Sequence, residues 1–258
     1  MSAELVGIVA PAWLAGLLVL LTHAPLGRQV LQRGIIFVDL AVAQAAATGA
    51  LASQLLLHDS SVAWQQGGAL LAALAASAVL HPLSRHHADI QEALIGGGFV
   101  VLASVAVLLV SQDPHGGDHL HSLLSGQLLW VSTAQLLWLA LGSGVCLVLM
   151  WRCRHPLGGF YIPLALAVTL AVQAVGVYLV FACLVFPALA TRRLPVRAAH
   201  GHAILSGALA LAAGLAVSVA TDLPSAPVCV LALALGAWLG SRLHSIRPDD
   251  GLQSGRHE

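Results

Sequence analysis

The 258-residue chain carries eleven basic and eleven acidic side chains, a net charge of zero with neutral histidines, and 59% hydrophobic but only 9% charged residues. A soluble domain carries roughly 25% charged residues, so this composition excludes an ordinary water-soluble globule, and the absence of a dense basic face excludes a nucleic-acid binder. The mean hydropathy of +0.89, with apolar runs near the roughly 20 residues that span a bilayer, predicts an all-α polytopic membrane helix bundle.

In chain order the apolar segments lie at about 5–22, 34–57, 62–80, 93–111, 127–151, 160–174, 175–190, 201–221 and 226–242, which is about 8–9 transmembrane segments. Residues 1–4 have no positive charge, and the first apolar run is followed by THAPLGRQ with no small-residue cleavage site. The run therefore reads as a first membrane helix rather than a cleaved signal. The stretch 164–190 is the one that strains a simple count. It is long for one helix and short for two, and Gln173, Gly176 and Pro187 punctuate it. It is either one long tilted helix or a broken, re-entrant pair. Broken helices in a membrane must be covered by protein or line a cavity, because lipid cannot satisfy free backbone groups. One transmembrane domain is expected over 1–244, with a polar cytoplasmic tail over 245–258.

All eleven basic residues are arginines. They fall at Arg28 and Arg33, at Arg85, at Arg152 and Arg154, at Arg192, Arg193 and Arg197, and at Arg242, Arg247 and Arg256. The connections near residues 58–59, 113–125 and 222–227 hold none. Short cytoplasmic loops carry the basic excess, which puts the N-terminus outside and the C-terminus in the cytoplasm of a plasma-membrane protein. This assignment holds only if 160–190 crosses twice or dips in and returns. The charge pattern thus favours the broken reading.

A few polar residues carry an energetic cost. Asp39 lies five residues into the second segment, and a carboxylate in a membrane helix costs about 2.5–3.5 kcal/mol on insertion scales. It either pairs with Arg33 or an arginine of a neighbouring loop, or faces the bundle interior. Gln44 follows roughly 140° further around the helix at 100° per residue. A second cluster, Asp113, His115, Asp118, His119 and His121, falls on an external loop. Imidazole and carboxylate suit zinc, manganese or iron, and a solvated polar loop is the alternative. Glu92 is explained by the dipole at a helix start. Gly236 and Gly240 form a GxxxG spacing that chance accounts for in so glycine-rich a chain. Four cysteines without CxxC spacing (Cys146, Cys153, Cys183, Cys229) read as packing residues. Without lysine there is no Walker A loop, so the chain is no P-loop ATPase, and no GxSxG or HExxH is present.

Five stretches, in order, resemble the permease subunits of zinc/manganese ABC importers. RQVLQRGIIFVDLAVAQAAATGAL is similar to "RR-x-x-F-x-G-D-A-L-S-H-A", IQEALIGGGFVVLASVAVLLVS to a "D-x-x-I-G" helix, and HLHSLLSGQLLWVS to "YLFG-x-I-L-x-V-S". VQAVGVYLVFACLVFPALATRR resembles "V-x-V-V-G-x-L-L-V-x-A-L-L-I-I-P-A-A-T-A", and GLAVSVATDLPSAPVCVLALAL resembles "G-L-x-x-S-x-x-x-D-L-P-S-G". Together they cover about residues 20–242.

The resemblance implies a homodimeric membrane pore that works with a cytoplasmic ABC ATPase subunit and an external metal-binding protein. It implies that the stretch after Pro187, with Ala190, Thr191, Arg192, Arg193 and Arg197, docks on the ATPase. In the family's pattern an Asp and a His four residues apart are implicated in the metal path. Here Gln44, a neutral oxygen ligand, occupies the His position, and Asp39 stands where the family has Gly, one residue before its Asp. The expected function is therefore the permease of an ATP-driven importer of a divalent transition metal, zinc first, acting by alternating access. The metal is substrate, with no resident cofactor and no covalent chemistry on this chain. The alternatives are a stand-alone secondary transporter or channel for metal ions or protons, and a membrane-embedded enzyme using His119 or His121.

Overall fold

A computed structural model describes residues 3–57, 61–86, 91–110, 128–153 and 155–245. Among them are nine α-helices: α1 (Ala3–Arg33), α2 (Val38–Leu57), α3 (Val62–His86), α4 (Gln91–Val110), α5 (Thr133–Arg152), α6 (Ile162–Val175), α7 (Val177–Ala190), α8 (Val196–Thr221) and α9 (Ser225–Ser245). A 3₁₀ turn (Leu128–Trp130) precedes α5, and a π-helical turn (Leu157–Tyr161) leads into α6. No strand occurs among the described residues. The chain is the all-α polytopic bundle that its composition predicts. Six helical spans in the described residues are long and apolar enough to cross a membrane unaided, one of them α6 with its π turn, while α7 is a shorter apolar helix.

Side-chain contacts fix which end of each helix lies where. The Arg33 guanidinium sits 3.8 Å from the Phe160 ring centroid, so the end of α1 meets the start of α6. Arg28 donates to the Leu194 carbonyl at 3.1 Å, so the end of α1 also meets the end of α7. Were α6 and α7 one straight helix, residues 160 and 194 would stand about 50 Å apart. The chain therefore rises along α6, turns at Gly176 and returns along α7. Two contacts with α3 agree: Tyr161 packs edge-on against His81 at 5.0 Å, and Gln173 accepts a hydrogen bond from Gln66. Gly176 has φ +82°, a left-handed conformation that costs glycine nothing. Its N–H donates to Val172 O at 2.9 Å and its carbonyl accepts from Val180 N at 3.1 Å, so the break leaves its own backbone groups satisfied.

The remaining legs follow in alternation. Glu92 Oε1 accepts from Phe37 N–H at 3.4 Å, placing the start of α4 beside the start of α2. His81 and His155 rings lie 6.3 Å apart, joining the end of α3 to the segment after α5. A Cβ on Gly240 would lie 3.5 Å from that of Ala190, joining the ends of α9 and α7. Nine legs thus put every arginine-bearing helix end that is described at one end of the bundle. The arginine asymmetry in the sequence and the packing of the chain are the same pattern.

Three boundaries correct the sequence reading. Helix α1 does not stop near residue 22 but continues through Pro25 to Arg33. A proline in a membrane helix is tolerated where neighbouring helices pack around the freed carbonyl, and α1 is buried against α7 and α8 there. Helix α3 likewise runs through Pro82 to His86, and α8 begins at Val196 rather than near 201. The expected polar tail beyond 245 lies outside the described residues.

The core lies around α7, where Leu179, Cys183 and Leu184 are fully buried and ten of the fourteen residues are buried in all. A helix that is hydrophobic all round is a core helix. Helix α1 packs on it so closely that a Cβ on Gly27 would collide with the Leu184 carbonyl. Helix α5 is the opposite case. Only Leu139, Ser143 and Cys146 are buried, while Leu137, Trp138, Leu141, Val145 and Val148 face outward. Trp130 and Trp151, both largely exposed, bracket it at roughly 30 Å, the thickness of the hydrocarbon layer and the level of the aromatic belts.

Candidate functional site

Asp39 stands in the first turn of α2 and is 0% exposed. Among the described residues neither carboxylate oxygen has a hydrogen-bond partner. Pairing with Arg33 is thereby corrected: Arg33 stacks on Phe160, and Arg28 reaches Leu194. Both guanidiniums follow the ends of α7 and α6 instead of the carboxylate. Helix α2, which carries Asp39, packs against α3, α4 and α6 and also meets α7. Cys183 and Cys229 are fully buried and unoxidised. A buried carboxylate without a counter-charge is expensive.

Gln44 is also buried, on another face of α2 from Asp39. No hydrogen bond joins the two, since both Asp39 oxygens are unpartnered. One turn further, Thr48 Oγ1 donates to Gln44 O at 2.7 Å and approaches Leu102 O of α4 at 3.3 Å. His115, Asp118, His119 and His121, with Asp113, lie outside the described residues. Among the described residues no three His, Cys, Asp or Glu side chains are grouped to hold one metal ion.

Among the buried polar residues that escaped the sequence reading, His23 is the titratable one. His23, in the middle of α1, is 0% exposed. Its Nδ1 lies 3.0 Å from Val19 O and 3.0 Å from Thr22 Oγ1, and its Nε2 has no partner. The signal available in the sequence was an imidazole within an apolar run, THAP, which the following proline made look like a loop.

The end of α7 forms the other part of the site. Ala190 and Thr191 are buried, and Thr191 Oγ1 donates at 2.8 Å to Pro187 O, one of the last-turn carbonyls that the helix end leaves without an intrahelical partner. The chain then turns, with Leu194 N donating to Thr191 O at 3.0 Å, and Pro195 starts α8. Arg192 and Arg193 are exposed on this turn, and Arg197 lies in the first turn of α8. The turn is tied to α1 through Arg28 and to α9 through the Ala190–Gly240 contact. Gly236 and Gly240 do lie at helix contacts, against Ala210 and Ala190, yet a Cβ at either would make only ordinary contact.

The helical bundle formed by the described residues fits the membrane architecture of about eight or nine helices that the five motifs imply. The model of the ABC 3 transport family matches residues 6–162 and 157–242. The chain belongs to the ABC 3 transport family. This ABC 3 chain is thus a multi-pass membrane permease of a metal-type ABC transporter, and such a subunit is not itself catalytic. No curated protein sequence matches it. Among solved structures it is similar to a chain of PsaBC from Streptococcus pneumoniae in complex with Fab, at 17% identity, covering 96% of this chain and 100% of that one with a TM-score of 0.75. A second similar structure is described as an inward-facing metal-chelate type ABC transporter, at 19% identity, covering 92% of this chain and 85% of that one with a TM-score of 0.64. At these identities the likeness establishes the fold.

Proposed function

We propose that this permease carries a divalent transition metal, zinc first, into the cytoplasm, driven by ATP hydrolysis on a separate cytoplasmic ABC ATPase. The observation that supports a cation as cargo is Asp39, a fully buried carboxylate with both oxygens bare. Such a group is favourable only when a positive charge arrives. Gln44 adds a neutral oxygen donor on the same helix, and His115, Asp118, His119 and His121 capture the metal from an external binding protein. Two copies of the chain form the pore. The arginine-bearing end is cytoplasmic by the positive-inside rule, which leaves the N-terminus outside.

The turn formed by Ala190, Thr191, Arg192, Arg193 and Arg197 docks on the ATPase, and its coupling to α7 drives alternating access. Exposed charge pairs are worth only about 0–1 kcal/mol each, so the docking surface as a whole carries the contact. Purification from native membranes tests the reading. A stoichiometric ATPase should accompany the chain, and vesicles containing both should accumulate zinc only with ATP. Zinc accumulation by the chain without an ATPase would overturn it.

A further inference from the structure

We infer that His23 is a second station on the cation path, an imidazole ligand on the α1 wall of α7. The inference rests on the metal-importer reading above. Three observations carry it. First, the ring is fully buried among helices, at 0% exposure. Secondly, its tautomer is fixed. The Val19 carbonyl, 3.0 Å from Nδ1, can only accept, so Nδ1 bears the proton and the Nε2 of the neutral ring is a bare lone pair. Thr22 supports the same orientation, its hydroxyl lying 3.0 Å from both Nδ1 and Val19 O. A ring held through one nitrogen by a backbone carbonyl, with the other nitrogen free, is how proteins prepare a histidine to bind metal. Thirdly, among the described residues nothing uses that lone pair, since Nε2 has no partner there. A purely structural buried histidine normally satisfies both nitrogens.

Its place in the fold agrees with a station. Gly16, Leu20, His23 and Gly27 fall on one strip of α1 by helical spacing. Gly16 and Leu20 meet Leu211 and Gly207 of α8, and Gly27 meets Leu184 of α7. His23 lies one turn above Gly27, in the strip where α1, α7 and α8 converge. Asp39 stands on α2, which also meets α7, so the two bare donors lie on helices that both pack against the same core helix. An imidazole selects zinc-like borderline cations over magnesium or calcium.

The test uses the full-length chain, purified from native membranes with the chains that accompany it, and Co²⁺ alone as a spectroscopic probe for zinc. The external histidines His115, His119 and His121 are first replaced by Ala. The wild-type core should bind one more tight Co²⁺ per chain than the H23Q variant, and H23Q should lower zinc uptake at least tenfold. Unchanged Co²⁺ stoichiometry and affinity in a folded H23Q protein overturns the assignment. A measurement on unsubstituted His23 is independent of how the variant folds. In nitrogen-15 histidine spectra, the resonance of the Nδ1-protonated ring should shift at Nε2 on adding Zn²⁺, and a signal that does not move overturns it. Loss of the ATPase partner or of ATP-driven uptake in the wild type would instead count against the importer reading, which is scored separately from binding.

Discussion

Helices α5 and α7 are both almost wholly apolar, and they do opposite things. Helix α5 buries a single stripe, Leu139, Ser143 and Cys146, and turns the rest outward between Trp130 and Trp151. Helix α7 is shorter, begins at a glycine break and is buried nearly all round. The bare polar groups His23 and Asp39 lie on α1 and α2, both of which pack against α7, whereas α5 meets neighbours chiefly through its stripe. Hydrophobicity thus marks a membrane helix without saying whether lipid or protein surrounds it. The features that separate the two are the break at Gly176, the close approach at Gly27 and the costly polar residues on neighbouring helices.

The largest expected contrast is steric. Gly27→Leu drives a side chain into the Leu184 carbonyl, and overpacking of a tight core costs about 1–3 kcal/mol or more. It should abolish recovery of folded protein, judged by monodispersity in detergent. Gly144→Leu on α5 meets nothing within 4 Å and should leave yield and melting temperature unchanged. If both variants behave alike, α7 is not the packed centre.

Asp39→Asn should separate function from stability. It removes a buried charge that has no partner, a state that destabilises a fold. Zinc uptake should fall at least tenfold, while the melting temperature stays the same or rises. A lower melting temperature together with normal uptake would return Asp39 to a structural role.

Arg192→Glu with Arg193→Glu reverses the charge of the exposed turn after α7 and should lose the ATPase on co-purification. The chain should still insert, because Arg28, Arg33 and Arg152 continue to mark that end. A retained partner and normal transport would remove the turn from the coupling surface. The smallest effect belongs to α5. Trp138→Ala, on its outward face, should change stability by less than about 0.5 kcal/mol, the usual range for surface sites, measured by thermal unfolding.

Much of this contrast was legible before any coordinates. The Gln173–Gly176–Pro187 punctuation pointed to a break, and the clustering of arginines favoured a stretch at 160–190 that crosses twice or dips in and returns. Asp39 was identifiable as the residue whose burial costs most. Its isolation was not, because an arginine six residues away in sequence, Arg33, looks like a partner until the fold turns it toward Phe160. The extent of α1 was also hidden. Pro25 reads as a stop in a soluble protein, whereas here surrounding helices sustain the chain through it. That misreading concealed His23, which lies two residues before the proline. The external histidine loop is untouched by these arguments, since it falls outside the described residues.

The account depends most on α6 and α7 crossing the membrane in opposite directions, and site-directed labelling tests this directly. In a background with Cys146, Cys153, Cys183 and Cys229 replaced, single cysteines at His155, Tyr178 and Arg193 would be challenged in intact cells with an impermeant maleimide. All three positions are exposed. Tyr178→Cys, next to the break, should label from outside, while His155→Cys and Arg193→Cys should label only after permeabilisation. Labelling of His155→Cys and Arg193→Cys from opposite sides would mean a single crossing and would contradict the account.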